Sequence, residues 1–509
     1  MLNENEKLEH NKAMVDQFML EKKYSFAEII PMNYGLEFLE YLINVGISDS
    51  FAHAQYTKER EFVSHHEVFP LIYMMNVLTG GGAVRRTQAI LRNESALRIL
   101  WFTEEEITNG LTKRGSKNQY GEDYERQSGI MASTTLVDNL ACFEYQGLEE
   151  CFNSYINRIA NGGQIDLGEI YVLDSTIVET RKDYPGAKLT KRKDEEGEET
   201  DKEIWGFKVF ILMSAKALIP VAIHITTAND ADSPMLLKMI EKGKQNMGEG
   251  KIKIVLADRG FIDGHQMHQM KYEMGIDFVI PAKKNMDIWK CMTGLRGENQ
   301  DNIEEWQYGK KGLSGGYLSK GSVSYGQYAA EAAGNKKYKS GEPINAVVVT
   351  RWAGKEIEKG KEKVILTSLD TDSAIKVIQL YGQRSLIENC NFRELKQAAA
   401  LNALPQYKDK NAALTAKIHM LLCVFSLAVF NTMVEAVFTN INGAMENVPK
   451  NLREFRFMKR CEKPKVFILA GHYYHIYEMK EFMSLVGFTE MVPDGGGHRK
   501  RRNMKQARS

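Results

Sequence analysis

The stretch Tyr381–Lys396 (YGQRSLIENCNFRELK) combines a phenol, a guanidinium and a carboxylate at helical spacing. In a helix each residue turns about 100°, so Tyr381, Arg384 and Glu388 fall within an arc of about 60° on one face. Such a face suits a metal ion held beside a phosphodiester. The carboxylate ligates the cation, the guanidinium takes a phosphate oxygen, and the phenol hydrogen-bonds another. The plainer alternative is a solvated helix face with an i,i+4 Arg–Glu pair.

Two aspartates earlier in the chain each close a β-type apolar run. Glu169-Ile-Tyr-Val-Leu leads into Asp174, Ser175 and Thr176, and Lys251-Ile-Lys-Ile-Val-Leu-Ala leads into Asp258. After Asp258, Gly260 permits a sharp exit. Between the aspartates lie two more strand candidates, Trp205–Met213 and Leu218–Thr226. A helix candidate follows over Asp232–Ile240, with Ser233 as its N-cap and Pro234 at its first position. Beyond Asp258 come a helix over His265–Glu273 and a strand over Ile276–Pro281. Three strands, helix, strand, helix, strand is the order of a mixed sheet: a meander followed by crossover units. Carboxylates at strand ends of such a sheet converge where ligands usually bind.

This order, with its three acidic motifs, resembles the ribonuclease-H-like core of the DDE transposases encoded by bacterial insertion sequences. Leu173-Asp174-Ser175-Thr176 resembles the first motif and Ala257-Asp258-Arg259-Gly260-Phe261 the second. Tyr381–Lys396 resembles the third, a Tyr-x2-Arg-x3-Glu-x6-Lys signature found in the branch that carries a β-rich insertion before the Glu. Tyr381, Arg384 and Glu388 fit that spacing. Lys396 comes one residue late, and Leu395 stands at the motif position. On a regular helix Lys396 lies about 80° from Glu388 and Arg393 about 140°, so Lys396 is the better placed. An added π turn between them would restore the register.

The resemblance implies an α/β fold: a ribonuclease-H-like mixed sheet flanked by helices, with a helical N-terminal region and a β-rich insertion. The expected organisation is a helical region over 1–160 with possible DNA-end binding and the first part of the core over 165–285. The insertion then spans 286–370, core helices carrying Glu388 span 371–440, and a C-terminal region spans 441–509. The implied activity is metal-dependent strand cleavage and transfer at the ends of an insertion sequence, of the cut-and-paste type. Asp174, Asp258 and Glu388 are the catalytic and metal-binding residues it implies, holding two Mg²⁺ ions with Mn²⁺ able to substitute. Tyr381, Arg384 and Lys396 would grip DNA. The implied partners are double-stranded transposon-end and target DNA, bound by a homodimer. Two alternatives remain, a nuclease without strand transfer and a catalytically silent DNA-binding descendant. Against the latter, a pure DNA binder gains nothing from three carboxylates near phosphates.

Composition agrees with a multidomain soluble chain. It has 509 residues, 43% hydrophobic and 26% charged, with a net charge of +1, so any basic surface must be local. Six scattered cysteines form no C-x2-C pair, which argues against zinc or a disulfide framework. With a polar start lacking a signal-peptide apolar region, they predict a cytoplasmic, nucleoid-associated protein. The apolar run Ile418–Val434 contains His419, Ser426, Asn431 and Thr432 and reads as a buried core helix, not a membrane span.

The flanking regions carry weaker signals. Residues 1–160 read as short helices, with Thr103-Glu-Glu-Glu106 as a capping box and Arg85, Arg86 and Arg92 as a basic segment. They suit either a helix-turn-helix reader of DNA ends or a helical subdomain packed on the core. The charge run Lys191–Glu203 reads as an extended hairpin loop. Twelve of the 41 glycines fall in 286–370, where Ala346–Thr350 and Val364–Thr367 are strand-like. There Trp306 and Trp352 are candidates to stack on a flipped base, with membership of the insertion's own core as the plainer alternative. The tail brings six cations and no acid, among them Arg499, Lys500, Arg501 and Arg502. It suits non-specific DNA attraction or solubility.

Overall fold

The computed structural model describes residues 4–30, 36–58, 65–80, 84–111, 130–163, 165–193, 199–295, 303–308, 314–325, 327–329, 342–353, 356–357, 362–369, 374–405, 411–441, 451–454 and 465–486. Its strands are, in chain order, β1 (Phe26–Ile30), β2 (Ile170–Thr180), β3 (Lys188–Lys193), β4 (Glu199–Ser214), β5 (Pro220–Thr227), β6 (Ile254–Ala257), β7 (Asp277–Pro281), β8 (Ile303–Tyr308), β9 (Ser314–Ser324), β10 (Pro343–Ala353), β11 (Glu356–Ile357), β12 (Lys363–Thr367), β13 (Lys465–Ala470) and β14 (Tyr473–Glu478).

The apolar run of β2 is buried from Tyr171 to Asp174, as a strand covered on both faces must be. It sits between β4, antiparallel, and β6, parallel. With β5 antiparallel to β4 and β7 parallel to β6, the core order is β5-β4-β2-β6-β7. That is the meander-plus-crossover sheet expected of a ribonuclease-H-like fold. The crossover helix runs Met235–Met247, with Pro234 at the N-cap and no side-chain cap, one residue later than its sequence signals suggest. It buries Leu236, Met239, Ile240 and Met247. Since apolar burial is worth roughly 25 cal/mol per Å², this face fixes the helix to β4 and β5.

The charge run forms a hairpin. β3 pairs with the first half of β4, setting Lys191 opposite Glu203 and Lys193 opposite Glu199, while β5 takes the second half of the same edge. Opposite charges facing across an antiparallel pair favour that register.

The insertion does not stand apart from the core. β12 pairs antiparallel with β7, and β10, β9 and β8 follow outward, so its strands lengthen the core sheet. The segment between β9 and β10 also docks behind the core. A Cβ on Gly264 would lie 2.5 Å from the Gln327 carbonyl carbon, so only glycine allows this approach. Tyr328 is buried beside His268, Tyr272 and Phe278.

The helices of 36–161 join the same hydrophobic core as the sheet. The Val68–Thr79 helix is almost wholly buried and packs on the 30-residue helix Ala412–Ile441. The segment Val84–Ala89 is 3₁₀, and the Thr103 capping box is made in both directions. The two ends of the described chain meet: in the mostly helical region 1–160, β1 pairs with β13, Phe26 opposite Leu469. β14 completes a three-stranded sheet covered by the Glu4–Leu20 helix.

Candidate active site

Parallel pairing sets Leu173 opposite Ala257. One residue further, Asp174 and Asp258 come level on strands about 4.8 Å apart, with their side chains on the same face. The strand β6 stops there, but β2 runs on to Thr180 and Asp174 still pairs with Ile211 of β4. Asp174 therefore lies in mid-strand, not at a strand end. The apolar run breaks because that face opens, while the backbone ladder continues. After Asp258 a 3₁₀ turn spans Arg259–Phe261. Gly260 leaves room there for the Asp232 side chain. A Cβ would meet Asp232 Oδ2 at 2.8 Å.

Glu388 arrives on a helical stretch that is far from regular. The Ala374–Gly382 helix runs into i→i+3 bonds: Gln383 N to Leu380 O, Arg384 N to Tyr381 O, Leu386 N to Gln383 O and Ile387 N to Arg384 O, all within 2.9–3.2 Å. Ile387–Phe392 then forms a π turn in which Arg393 N donates to Glu388 O, and the α-helix resumes over Arg393–Gln397. A π turn absorbs one extra residue. The eight-residue offset from Glu388 to Lys396 thus behaves as seven, bringing Lys396 within about 20° of Glu388 instead of about 80°. Arg393 moves to about 40° by the same arithmetic. Both side chains line the cleft, so the expectation that Arg393 would point away is corrected.

Arg384 ties the site together. Its Nη1 donates to Asp174 Oδ2 at 2.9 Å and its Nη2 to Glu388 Oε1 at 3.0 Å. Its guanidinium carbon lies 5.8 Å from the Tyr381 ring centroid. Burial pushes the Asp174 carboxyl up to about 7; Arg384 opposes this, and Asp258 and Glu388 add to it. Burial works to lower the Arg384 value, but Tyr381, Asp174, Asp258 and Glu388 together hold it above its ordinary one. Burial also pushes the Tyr381 phenol up to about 12, despite Arg384. Tyr381 remains protonated and able to donate at neutral pH.

Asp174, Asp258 and Glu388 line one cleft of about 540 Å³ with Ser175, Thr176, Asp232, Phe261, Phe392, Arg393, Lys396 and Gln397. The sequence pattern missed Asp232 as a member. It receives Ser175 Oγ at 2.9 Å and pairs with Lys208 Nζ at 2.7 Å, and Lys208 also donates to Asp230 O at 2.9 Å. Lys208 is buried in the middle of β4. A lysine among apolar strand residues was the available signal, since a buried ammonium calls for an acid partner.

The donor set fits hard divalent cations: three carboxylates line one cleft, and Asp174, raised first by burial, is raised further by Asp258 and Glu388. Among the described residues, no three acidic, His or Cys side chains are already gathered as a metal cage. Arg384 holds an oxygen of Asp174 and one of Glu388.

The other candidates stand as follows. The backbones of Trp306 and Trp352 lie in β8 and β10, opposite Gly316 and Gly315, but their side chains lie outside the described residues. Arg499, Lys500, Arg501 and Arg502 lie outside them as well. The insertion aromatics Tyr325 and Tyr328 are core residues, 8% and 2% exposed.

A family model described as the transposase DDE domain matches residues 166–427. A cryo-EM structure of a piggyBac transposase synaptic complex with hairpin DNA is similar over 84% of this chain and 78% of that one, at 11% identity and a TM-score of 0.40. A likeness that remote carries no argument. No curated protein matches the sequence.

Proposed function

The chain belongs to the DDE-domain transposases, and from that premise we propose that it cuts and rejoins phosphodiesters at the ends of an insertion sequence. One observation carries the reading. Asp174 on β2 and Asp258 just past the end of β6 follow the paired Leu173 and Ala257, and Arg384 joins Asp174 to Glu388, 214 positions further along the chain. A structural ion pair needs two charges. Three acids lining one open cleft, two of them held by a guanidinium behind it, are an arrangement for phosphate chemistry.

In this reading Asp174, Asp258 and Glu388 would hold two Mg²⁺ ions, or Mn²⁺ in their place. When bound, these ions supply charge neutralisation at the phosphate and a more acidic entering oxygen. The protein's part is positioning, which phosphoryl transfer needs more than covalent help. Arg384 presents a flat fork of donors to a non-bridging phosphate oxygen, and Tyr381 adds a phenolic donor beside it. Lys396 and Arg393, brought under Glu388 by the π turn, bind backbone phosphates at the cleft's edge. Lys208 neutralises Asp232, so that a fourth acid does not repel the DNA. The partners are transposon-end and target duplexes, gripped by a homodimer. The basic tail 498–509 adds affinity for DNA of any sequence.

The test is incubation with DNA from the element's own ends in Mg²⁺, mapping both breaks and joined products. Breaks at the ends with strand joining support transposition, and breaks without joining return the chain to a nuclease. No breaks at all, with binding intact, would identify a silent DNA-binding descendant.

A further inference from the structure

We propose that Arg384 is a resident cation of the acidic cleft, which keeps divalent ions out until a DNA phosphate draws its guanidinium away. The inference rests on the transposase reading and adds to it a regulation of the site. Arg384 does not merely lie near the acids. It donates to Asp174 at 2.9 Å and to Glu388 at 3.0 Å, bonding two of the three carboxylates that would hold the ions and leaving Asp258 outside its grip. Its side chain is 17% exposed and that of Asp174 12%, so this contact is shielded from water, while Glu388, 52% exposed, holds the open side. A divalent ion needs the same oxygens, so guanidinium and ion compete for them.

The exchange has a natural partner. A phosphate oxygen replaces a carboxylate oxygen at a guanidinium with the same charge and the same forked geometry. DNA entering the cleft therefore gives Arg384 another anion, and Asp174 and Glu388 become available to the ions at that moment. The backbone around Arg384 suits a side chain with two positions. It lies in the tight i→i+3 turn immediately before the π turn, where the regular α-helical bonding of the stretch is interrupted. The consequence is reciprocal coupling: DNA tightens ion binding, and ions tighten DNA binding by the same factor. Such a lock would keep a strand-cutting site unloaded while no DNA end is present.

The experiment is Mn²⁺ titration by calorimetry of the full chain without DNA, on the wild type, Arg384→Gln, Arg384→Lys and Asp174→Ala. Removing the resident cation should tighten Mn²⁺ binding by at least about fivefold, the lower end of ordinary site-to-site coupling. Lysine, which pairs with one carboxylate at a time, should fall between the two and also covers the case in which the glutamine variant folds poorly. In a second arm, anisotropy of a labelled end duplex gives the factor by which Mn²⁺ tightens DNA binding, and that factor should be larger in wild type than in Arg384→Gln. Equal or weaker Mn²⁺ binding by Arg384→Gln, or equal factors in the second arm, overturns the lock. Wild-type Mn²⁺ affinity in Asp174→Ala is a different failure, because it shows that the ions do not sit among these acids at all.

Discussion

Two helical segments of this protein are built on opposite principles. The helix Ala412–Ile441 runs 30 residues unbroken and lies in the core, with 83% of its most apolar part buried. Four of its described polar side chains find partners inside the core. His419 meets the Tyr73 hydroxyl and Leu401 O, Ser426 donates to Leu422 O, Asn431 to Leu218 O and Thr432 to Ala428 O. The segment 374–397 is shorter, partly exposed, tightened at one point and widened at the next. Regularity serves a helix that must fill space. Irregularity serves one that must bring Arg384, Glu388 and Lys396 onto one cleft, a mismatch of the kind expected at functional sites.

The largest expected contrast is between Asp174→Ala and Phe425→Ala. The first should reduce end cleavage by roughly a thousandfold or more while leaving end binding and folding intact. The second removes a ring packed on Phe51 and Phe152 and should cost about 3–5 kcal/mol of stability, lowering every activity only through the folded fraction. Denaturant melts and gel-based cleavage separate the two. Cleavage retained by Asp174→Ala would mean that the wrong carboxylate has been chosen.

Changing chain length tests the π turn. Deleting exposed Asn389 should convert it to an α turn, keep Lys396 under Glu388, and preserve both folding and cleavage. Inserting one alanine after Cys423 should instead rotate a buried face by about 100° and abolish soluble folding. If the deletion folds but no longer cuts, the widened turn itself is needed, beyond the register it restores.

The two regions should also answer pH with opposite signs. Burial lowers His419 to about 4, while its backbone bonds to Leu401 and Ala400 oppose this. Because that folded value lies below the unfolded one near 6.5, its contribution is present above pH 6.5 and is lost as pH falls towards 4, on the order of 3 kcal/mol. Asp174 is raised to about 7, above its unfolded 3.8, so in metal-free protein its contribution is full below pH 3.8 and is lost as pH rises through 7. Asp174→Asn should therefore raise the metal-free melting temperature at pH 8 and change it little at pH 4. His419→Gln should flatten the acid side instead. Parallel pH profiles for the two variants would contradict the contrast.

The smallest effects belong to the cleft's rim. Lys396→Ala and Arg393→Ala should each weaken DNA binding several-fold and reduce the salt slope by about one. If Arg393→Ala has no effect while Lys396→Ala does, the π turn aims only the second cation.

How much of this could be read in advance follows from how local each signal is. Asp174 and Asp258 announce themselves because an apolar run stops at a charge, whereas the one-residue delay of Lys396 left a regular helix and a π turn both open. The strands around them came out nearly in place, since buried β-branched runs mark themselves. Asp232 did not, because a carboxylate before a helix looks like any capping residue until Ser175 and Lys208 are folded onto it. The pairing of β1 with β13 joins positions more than 430 residues apart and has no neighbouring pattern to betray it. The continuation of the core sheet into the insertion was hidden for the same reason, since it depends on β12 choosing β7 as its partner.

The most direct test of the central claim, that Asp174, Asp258 and Glu388 form one ion-binding site for strand cleavage, is anomalous scattering from Mn²⁺ in crystals of the protein bound to a pre-cleaved end duplex. The account predicts manganese within about 2.0–2.4 Å of oxygens from all three carboxylates, with Arg384 turned from Asp174 and Glu388 onto a DNA phosphate. Manganese bound elsewhere, or Arg384 still bridging the two acids with DNA in place, would contradict it.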